Sequence, residues 1–337
     1  MKDLPGGYPR TACMNRRELL ITAAAAPFAL GWPSAARASA RGGTPLALVT
    51  ADSESRILAV RLTDMRVVRS LAVPREPHGI EAVDQLEGAL VMSNASGTVT
   101  VLDATVPKVR RILEGFSGPR YAAGDPRGRF AYVSDDLAGQ VIAIDVPAAR
   151  VIGRVEVGEG ARHMSISPDG TRVITSLGSK APRLALVDVS RPHRPRLVRT
   201  FPADDLAHDV GFTPDGEHVW ISSGVDRRLA VHDARTLRPL HAVPGDAPPQ
   251  HVTFDLLAKR IYVTSGDSGT LRTYRLADAK LLRTSRVTAG SYNVCALDGR
   301  VITPSLDDGR LTLLDSGGLR SAHVAPHAHD ACIVVGP

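Results

Sequence analysis

Histidine recurs in this chain at a spacing that could bring several imidazoles to one place. Successive members of the set lie one or two multiples of about 42 residues apart, a length typical of structural repeats. The set consists of His78, His163, His208, His251 and His329. Neutral imidazole nitrogens bind zinc and copper, and histidine also serves as a general base. The spacing predicts a site assembled from separate repeats, with copper or zinc as the implied metal.

The neighbours of these histidines extend the pattern to two adjacent positions in each of seven repeats. The pairs are His78-Gly79, Arg120-Tyr121, Arg162-His163, His208-Asp209, Gln250-His251, Tyr292-Asn293 and His329-Asp330. Two arginines at such positions could hold a carboxylate or phosphate through paired hydrogen bonds. A carboxylate beside a histidine could orient its ring. With the five histidines as metal ligands, we expect a ligand-binding funnel lined by Arg120, Tyr121, Arg162, Asp209, Tyr292, Asn293 and Asp330.

The same pattern has structural explanations. A duplicated repeat could retain a histidine that packs in the core or binds the backbone of the next repeat. The arginines could form salt bridges between repeats. Because consecutive strand residues point to opposite faces, each aspartate could serve the histidine of a different repeat.

Short β-rich runs provide the elements that would position these residues. They are Leu90 to Ser93, Ala131 to Ser134, Val173 to Ser176, Val219 to Ser222, Ile261 to Thr264 and Val301 to Thr303. Turns such as Pro168-Asp169-Gly170 precede several of them, and alternating strands that end in aspartate follow, such as Val141 to Asp145. Proline and glycine set the turn dihedrals, and an aspartate at a strand end closes an Asx-type turn.

Four strands in about 42 residues are typical of a β-propeller blade. Units open near residues 78, 121, 163, 208, 251 and 293, and residues 46–73 form another with the C-terminal strand Ala331 to Val335. The sequence therefore predicts an all-β fold: a seven-bladed β-propeller of four-stranded blades, its ring closed by strands from both termini. Such closure leaves no free sheet edge.

The repeats resemble a known family. Tyr132-Val133-Ser134, Tyr262-Val263-Thr264 and Gln140 to Asp145 are similar to the YVTN/YncE-like propeller repeats of exported bacterial proteins, and Leu184 to Pro192 resembles the LVIVD repeat. The resemblance covers residues 46–335 and implies a propeller fold, whereas such propellers serve many unrelated functions. The funnel histidines are also similar in kind to those of copper-holding propellers such as nitrous oxide reductase.

Residues 1–40 have the pattern of an export signal. Asn15-Arg16-Arg17-Glu18-Leu19-Leu20 precedes an alanine-rich apolar stretch, Ile21 to Leu30, and small residues at Ala36 to Ala40 suit cleavage. The paired arginines resemble a twin-arginine signal, although an ordinary secretory signal is the alternative. We expect a mature domain over residues 41–337 that is periplasmic or extracellular, with no membrane span after cleavage.

Charge excludes one class of partner. The chain carries 41 Lys and Arg against 35 Asp and Glu, and residues 1–40 contain five of the former and two of the latter, leaving +3 for the remainder. Without a basic cluster interleaved with aromatics, nucleic acid is not an expected partner. We expect a monomer whose partner is a small molecule or a periplasmic protein.

Cys295 and Cys332 occupy equivalent positions in adjacent repeats. In an oxidising compartment they could form a disulfide, and as free thiols they would serve as small buried apolar residues.

Three functions fit these observations. The first is an exported propeller whose funnel binds copper, zinc or a small ligand, with an oxidoreductase role open to it. The second is a non-catalytic protein-interaction module. The third is a metal-independent enzyme of the lactonase or lyase kind, with histidine as general base.

Overall fold

The structure is a computed structural model that describes residues 43–84 and 88–336. The predicted signal lies outside these residues. Within them the chain forms strands and two short 3-10 helices, Asp52–Glu54 and Asn94–Ser96. The strands are β1 (Pro45–Ala51), β2 (Arg56–Arg61), β3 (Arg66–Ala72), β4 (Pro77–Asp84), β5 (Gly88–Ser93), β6 (Thr98–Asp103), β7 (Lys108–Leu113), β8 (Pro119–Gly124), β9 (Phe130–Asp135), β10 (Gln140–Asp145), β11 (Arg150–Glu156), β12 (Ala161–Ile166), β13 (Arg172–Leu177), β14 (Ala181–Asp188), β15 (Arg196–Phe212), β16 (His218–Ser223), β17 (Arg228–Asp233), β18 (Pro239–Pro244), β19 (Gln250–Asp255), β20 (Arg260–Ser265), β21 (Thr270–Arg275), β22 (Leu281–Arg286), β23 (Cys295–Leu297), β24 (Arg300–Pro304), β25 (Arg310–Asp315), β26 (Gly318–His323) and β27 (Ala331–Val335).

Most strands pair antiparallel with their neighbours in sequence. Among the described residues they form four-stranded sheets β4–β7, β8–β11, β19–β22 and β23–β26, and a further sheet in the order β27-β1-β2-β3. Strands β12 to β18 form a seven-stranded sheet because β15 is continuous. Residues 196–202 of β15 pair with β14, whereas residues 207–212 pair mainly with β16. An all-β chain of four-stranded antiparallel sheets fits a β-propeller.

The local sequence signals are confirmed. Each predicted β-rich run lies in a strand, from β5 to β24. The predicted aspartate turns form as well: the Asp145 carboxylate accepts from the Ala148 N–H at 3.1 Å, and the Asp233 carboxylate from the Thr236 N–H at 2.6 Å. These carboxylates satisfy backbone donors that the hairpin turns leave unpaired.

The two ends of the described chain meet in one sheet. Strand β27 pairs antiparallel with β1, with Pro45 opposite Val335 and Val49 opposite Ala331. The predicted pairing of an N-terminal with a C-terminal strand is therefore present.

The first strand of each four-stranded unit contacts the first strand of the next. These first strands are β4, β8, β12, the second part of β15, β19, β23 and β27. In that order each contacts its successor, and β27 contacts β4. Residues at the start of these strands are thereby brought close together.

The hydrophobic core lies between neighbouring sheets. Val101 of β6 and Ile142 of β10 belong to one buried cluster, and Trp220 of β16 and Tyr274 of β21 to another. The Tyr274 hydroxyl donates to the Pro244 carbonyl at 2.9 Å. Each large side chain buried in this way contributes roughly 1.5–3 kcal/mol, so the sheets form a rigid support for the strand starts.

In the part of the chain that the structure describes, no helix has the length and apolarity needed to cross a membrane.

Gly309→Ala tests the contact between the β24–β25 turn and the segment that connects β26 to β27. Gly309 has φ +61°, and an added Cβ would lie 1.6 Å from the Ala325 carbonyl oxygen. We expect a loss of about 3 kcal/mol or more in the free energy of unfolding, measured by urea denaturation, because left-handed strain and a backbone clash add. Gly299→Ala is the control: φ is +77° and nothing lies within 4 Å of the added Cβ, so strain alone should cost about 1–2 kcal/mol. Equal losses would show that the clash is relieved without cost.

Candidate functional site

Six rings lie in contact, each from a first strand or from the residues just before it. We call them the imidazole row because five of the six are histidines. In spatial order they are His329, His78, Tyr121, His163, His208 and His251. Ring centroids lie 3.8 Å apart for His329 and His78, and 4.0 Å apart for Tyr121 and His163. The structure thus brings together all five histidines and Tyr121.

Three members of the row lie close enough to share one ion. The candidate ligand atoms of His163, His208 and His251 are all within 4.8 Å of one another, and the three residues are buried. The Nε2 atoms of His208 and His251 are 3.2 Å apart. Two imidazole nitrogens at tetrahedral positions around one zinc ion, with bonds of about 2.0–2.1 Å, would be separated by nearly the same distance. We call these three residues the His triad.

Two rings of the His triad have an oxygen acceptor near Nδ1, and in His208 it is close enough for a hydrogen bond. The Nδ1 of His208 lies 2.7 Å from the Ser179 carbonyl oxygen, which can only accept, so Nδ1 carries the proton and the Nε2 lone pair can accept from the Nε2 of His251. The Nδ1 of His251 lies 3.8 Å from the Asp209 carboxylate. A histidine that ligates through one nitrogen commonly donates the other N–H to a carbonyl or carboxylate.

His163 differs from the other two. Only 3% of its surface is exposed, and neither ring nitrogen has a hydrogen-bond partner. A buried polar group left unsatisfied costs about 1–3 kcal/mol. The His208 ring, by contrast, is hydrogen-bonded to the Ser179 carbonyl. The unpaired nitrogens of His163, next to two further imidazoles, favour a ligand site.

Burial keeps the row neutral. Burial, followed by neighbouring positive charges, lowers the pKa of His78, His163 and His251 well below the usual value. The pKa of His208 falls to about 4, again mainly through burial, and burial also lowers the pKa of His329. Neutral imidazoles are the form that binds metals.

The pairing of the first strands with the second strands is irregular at several of these residue pairs. The register of β12 against β13 shifts between Ala161 and Met164, which brackets Arg162-His163. Similar shifts bracket Arg120-Tyr121, His208-Asp209 and His78. A β-bulge redirects side chains that strict alternation would send to opposite faces. Even so, the Asp209 carboxylate faces His251 of the next repeat, in keeping with the expectation that an aspartate could serve the histidine of a different repeat.

Serine and threonine hydroxyls near the ends of the second strands accept hydrogen bonds from the backbone of the candidate site residues. Ser222 accepts from the Asp209 N–H at 2.9 Å and Ser134 from the Tyr121 N–H at 3.1 Å. Thr50 accepts from the Asp330 N–H at 2.8 Å. The serine and threonine residues of the repeat thus position the candidate site residues.

The predicted polar residues Asp209, Asn293 and Asp330 bind the backbone of the following first strand. Asp209 accepts from the Val252 N–H at 2.9 Å, and Asp330 accepts from the Ile80 N–H at 2.9 Å. The Asn293 amide donates to the His329 carbonyl at 2.8 Å. Burial raises the pKa of both aspartates to about 7.

Arg120 and Arg162 face one carboxylate. The Nε of Arg120 and the Nη1 of Arg162 each lie 3.8 Å from the same oxygen of Asp136. Asp136 is held by its backbone, whose N–H donates to the Gly118 carbonyl at 2.9 Å and whose carbonyl accepts from Gly160 at 3.1 Å. It belongs to the β9–β10 turn, and the sequence analysis did not find it, since only its position after Asp135 could have suggested it.

Two other predicted features take different places. The Tyr292 hydroxyl donates to Asp267 at 2.8 Å, so the structure directs it away from the imidazole row. Cys295 and Cys332 are not bonded to each other in the structure, and both line one cavity of about 230 Å³. Burial raises the pKa of Cys295 to about 12. The disulfide between them stays a prediction.

A half-buried acid shares that cavity. Glu81 lines it together with Asp330, and burial, followed by the Asp330 charge, raises the pKa of Glu81 to about 8. It is therefore protonated at neutral pH. Sequence reasoning missed Glu81, because an acid three residues after His78 in a strand has no distinguishing pattern.

Comparison with known proteins supports the fold. No family model matches the chain, and no curated protein matches it. A solved structure of a functionally unknown protein from Desulfotomaculum acetoxidans DSM 771 is similar with a TM-score of 0.75 and 14% identity, over 87% of this chain and 99% of that one. Kuenenia stuttgartiensis hydrazine synthase is similar with a TM-score of 0.60 and 18% identity, over 71% of this chain and 76% of that one. At these identities the likeness shows the fold alone.

His208→Gln tests the neutral state of the row. The unfolded chain binds a proton near pH 6.5 at this position, whereas the folded chain does so only near pH 4, so stability falls as pH drops through that window. We expect the variant to show a shallower loss between those pH values, by up to about 1.4 kcal/mol per pH unit. The measurement is urea unfolding at several pH values. The control is His241→Gln, which removes an exposed histidine outside the row; parallel curves for His208→Gln and the natural protein would contradict the assignment.

Proposed function

We propose that the protein binds a borderline transition metal, copper or zinc, through His163, His208 and His251. The observation that carries this proposal is the His triad itself: three buried imidazoles with mutually close nitrogens, one of which has no hydrogen bond at either nitrogen. Imidazole ligands suit zinc and copper, and lack of carboxylate ligands disfavours magnesium and calcium.

Oxygen atoms near the Nδ1 atoms of His208 and His251 support the same assignment. The Ser179 carbonyl fixes the His208 tautomer, and Asp209 faces the Nδ1 of His251. Three protein ligands leave a coordination position for a small molecule, as in catalytic zinc sites. A bound metal would act there as a Lewis acid or, if copper, as a redox centre. His78 and Tyr121 complete the surroundings, with the tyrosine hydroxyl 3.4 Å from the His78 Nε2.

We further propose that the sheets form a closed seven-bladed ring of the YVTN/YncE-like kind. The cycle of contacts between first strands and the pairing of β27 with β1 support closure. In such a ring the strand starts surround a central funnel, and the His triad would lie in it.

His163→Leu separates metal binding from folding. We expect metal affinity to fall at least 100-fold, because one of three ligands is lost. We expect the metal-free protein to keep or gain stability, by about 1–3 kcal/mol, because two unsatisfied buried nitrogens disappear. The measurements are copper and zinc titration of the metal-free protein by calorimetry, and urea unfolding without metal.

His241→Gln is the matched control, since His241 is exposed on β18 and should not affect metal affinity. Unchanged affinity in His163→Leu, or no copper or zinc binding by the natural protein, would contradict the proposal. In the latter case a binding module or a metal-independent enzyme becomes the better explanation.

Export by the twin-arginine route is a separate proposal. It is supported by Arg16-Arg17 and the apolar stretch after them. We expect R16K/R17K to leave uncleaved precursor in the cytoplasm, because that route reads the arginine pair. Cell fractionation and N-terminal sequencing measure this, with Arg10→Lys as control. Normal export of the double variant would instead indicate an ordinary secretory signal.

A further inference from the structure

Arg120 and Arg162 form an ion pair with Asp136 that is poorly made as a structural salt bridge. Charge-assisted hydrogen bonds between guanidinium and carboxylate are normally about 2.7–2.9 Å long. Here both nitrogen-to-oxygen distances are 3.8 Å. The Nε atoms of both arginines are buried and have no hydrogen-bond partner. Two guanidinium groups thus face one carboxylate without a hydrogen bond of normal length to it.

The charges at this point do not balance. Two guanidinium groups share one carboxylate, which leaves one positive charge beside neutral imidazoles. Burial and then the Arg162 charge lower the pKa of Arg120, so the arrangement is costly without a further anion. An unpaired charge in partly buried surroundings is expensive unless a counter-charge is supplied.

The pair lies next to the His triad. Arg162 directly precedes His163 on β12, and Arg120 directly precedes Tyr121 on β8, whose ring centroid lies 4.0 Å from that of His163. About a fifth of each arginine side chain is exposed, 21% for Arg120 and 20% for Arg162. Neither side chain is fully enclosed.

We infer that Arg120 and Arg162 bind a small oxyanion beside the His triad, with Asp136 as an internal competitor. This inference deepens the proposed metal site by naming the chemical class of its ligand. Because both guanidinium groups face the same carboxylate oxygen of Asp136, one carboxylate or tetrahedral oxyanion in the place of that carboxylate can contact both. Guanidinium forks suit that recognition through two parallel hydrogen bonds.

The test uses the metal-free mature protein, so that it does not depend on metal binding. Formate, sulfate and phosphate are titrated separately by calorimetry at low ionic strength, since salt screens such contacts. We expect saturable binding of at least one anion; formate alone would indicate a carboxylate ligand, and sulfate or phosphate a tetrahedral one. Absence of saturable binding by all three overturns the inference.

Two variants give opposite signs. R120Q/R162Q should weaken binding at least tenfold, because both forks are lost. Asp136→Asn should strengthen it by on the order of tenfold, equivalent to about 1.4 kcal/mol, because the competing carboxylate is neutralised. This gain cannot arise from misfolding. Equal or weaker binding in Asp136→Asn overturns the inference, as does unchanged binding in the double variant.

The exposed pair Arg61–Asp64, joined at 2.6 Å, provides the control. Arg61→Gln and Asp64→Asn should leave anion affinity unchanged, and changes equal to those above would reduce the effect to general charge and overturn the inference. If the protein binds no metal but both variants change anion affinity in the expected directions, the arginine site stands without the metal site. If the protein binds metal and the variants do not change anion affinity in these directions, only the metal site remains.

Discussion

The arrangement depends on how the first strands satisfy their backbone groups. A strand at a sheet edge presents N–H and C=O groups without partners, and burying them unpaired is costly. Here side chains of one unit bind the backbone of the next: Asp209 accepts from Val252, Asp330 accepts from Ile80, and the Asn293 amide donates to the His329 carbonyl. These hydrogen bonds join neighbouring sheets at the strand starts. Asp209, Asn293 and Asp330, which the sequence suggested as ligand-binding residues, therefore also stabilise the contacts between neighbouring sheets.

Fastening by carboxylates has an electrostatic consequence. Burial raises the pKa of Asp209 and Asp330 to about 7 and that of Glu81 to about 8, so the acids beside the row titrate near neutrality or above it. The imidazoles shift in the opposite direction because burial disfavours their charged form. A cluster of neutral nitrogen ligands with carboxylates close behind it is the result. Such a cluster is suited to a metal and is costly to a protein that does not use it.

The sheets differ from the strand starts in what surrounds their buried side chains. The interiors of the sheets are apolar and closely packed, as around Trp220 and Tyr274. Among the buried groups without a hydrogen bond, His163 and the two arginines lie at the strand starts, whereas Thr100 and Thr303 lie within the sheets. Functional sites are often places where local stability is sacrificed. The contrast separates His163 from His208, whose ring is hydrogen-bonded to the Ser179 carbonyl.

The strands, the turns and the aspartate caps could be predicted from the sequence, because alternation and turn chemistry act between residues close in the chain. The spacing of the histidines also indicated that His78, His163, His208, His251 and His329 belong together, since a repeat places equivalent residues at equivalent positions. Tertiary structure decided what these residues do. It turned Tyr292 towards Asp267, gave Asp209 and Asp330 a backbone role, and brought Asp136 between two arginines. Those outcomes depend on register shifts and on contacts between sheets, where displacement by one residue changes which group a side chain meets, and neither is encoded in a local pattern.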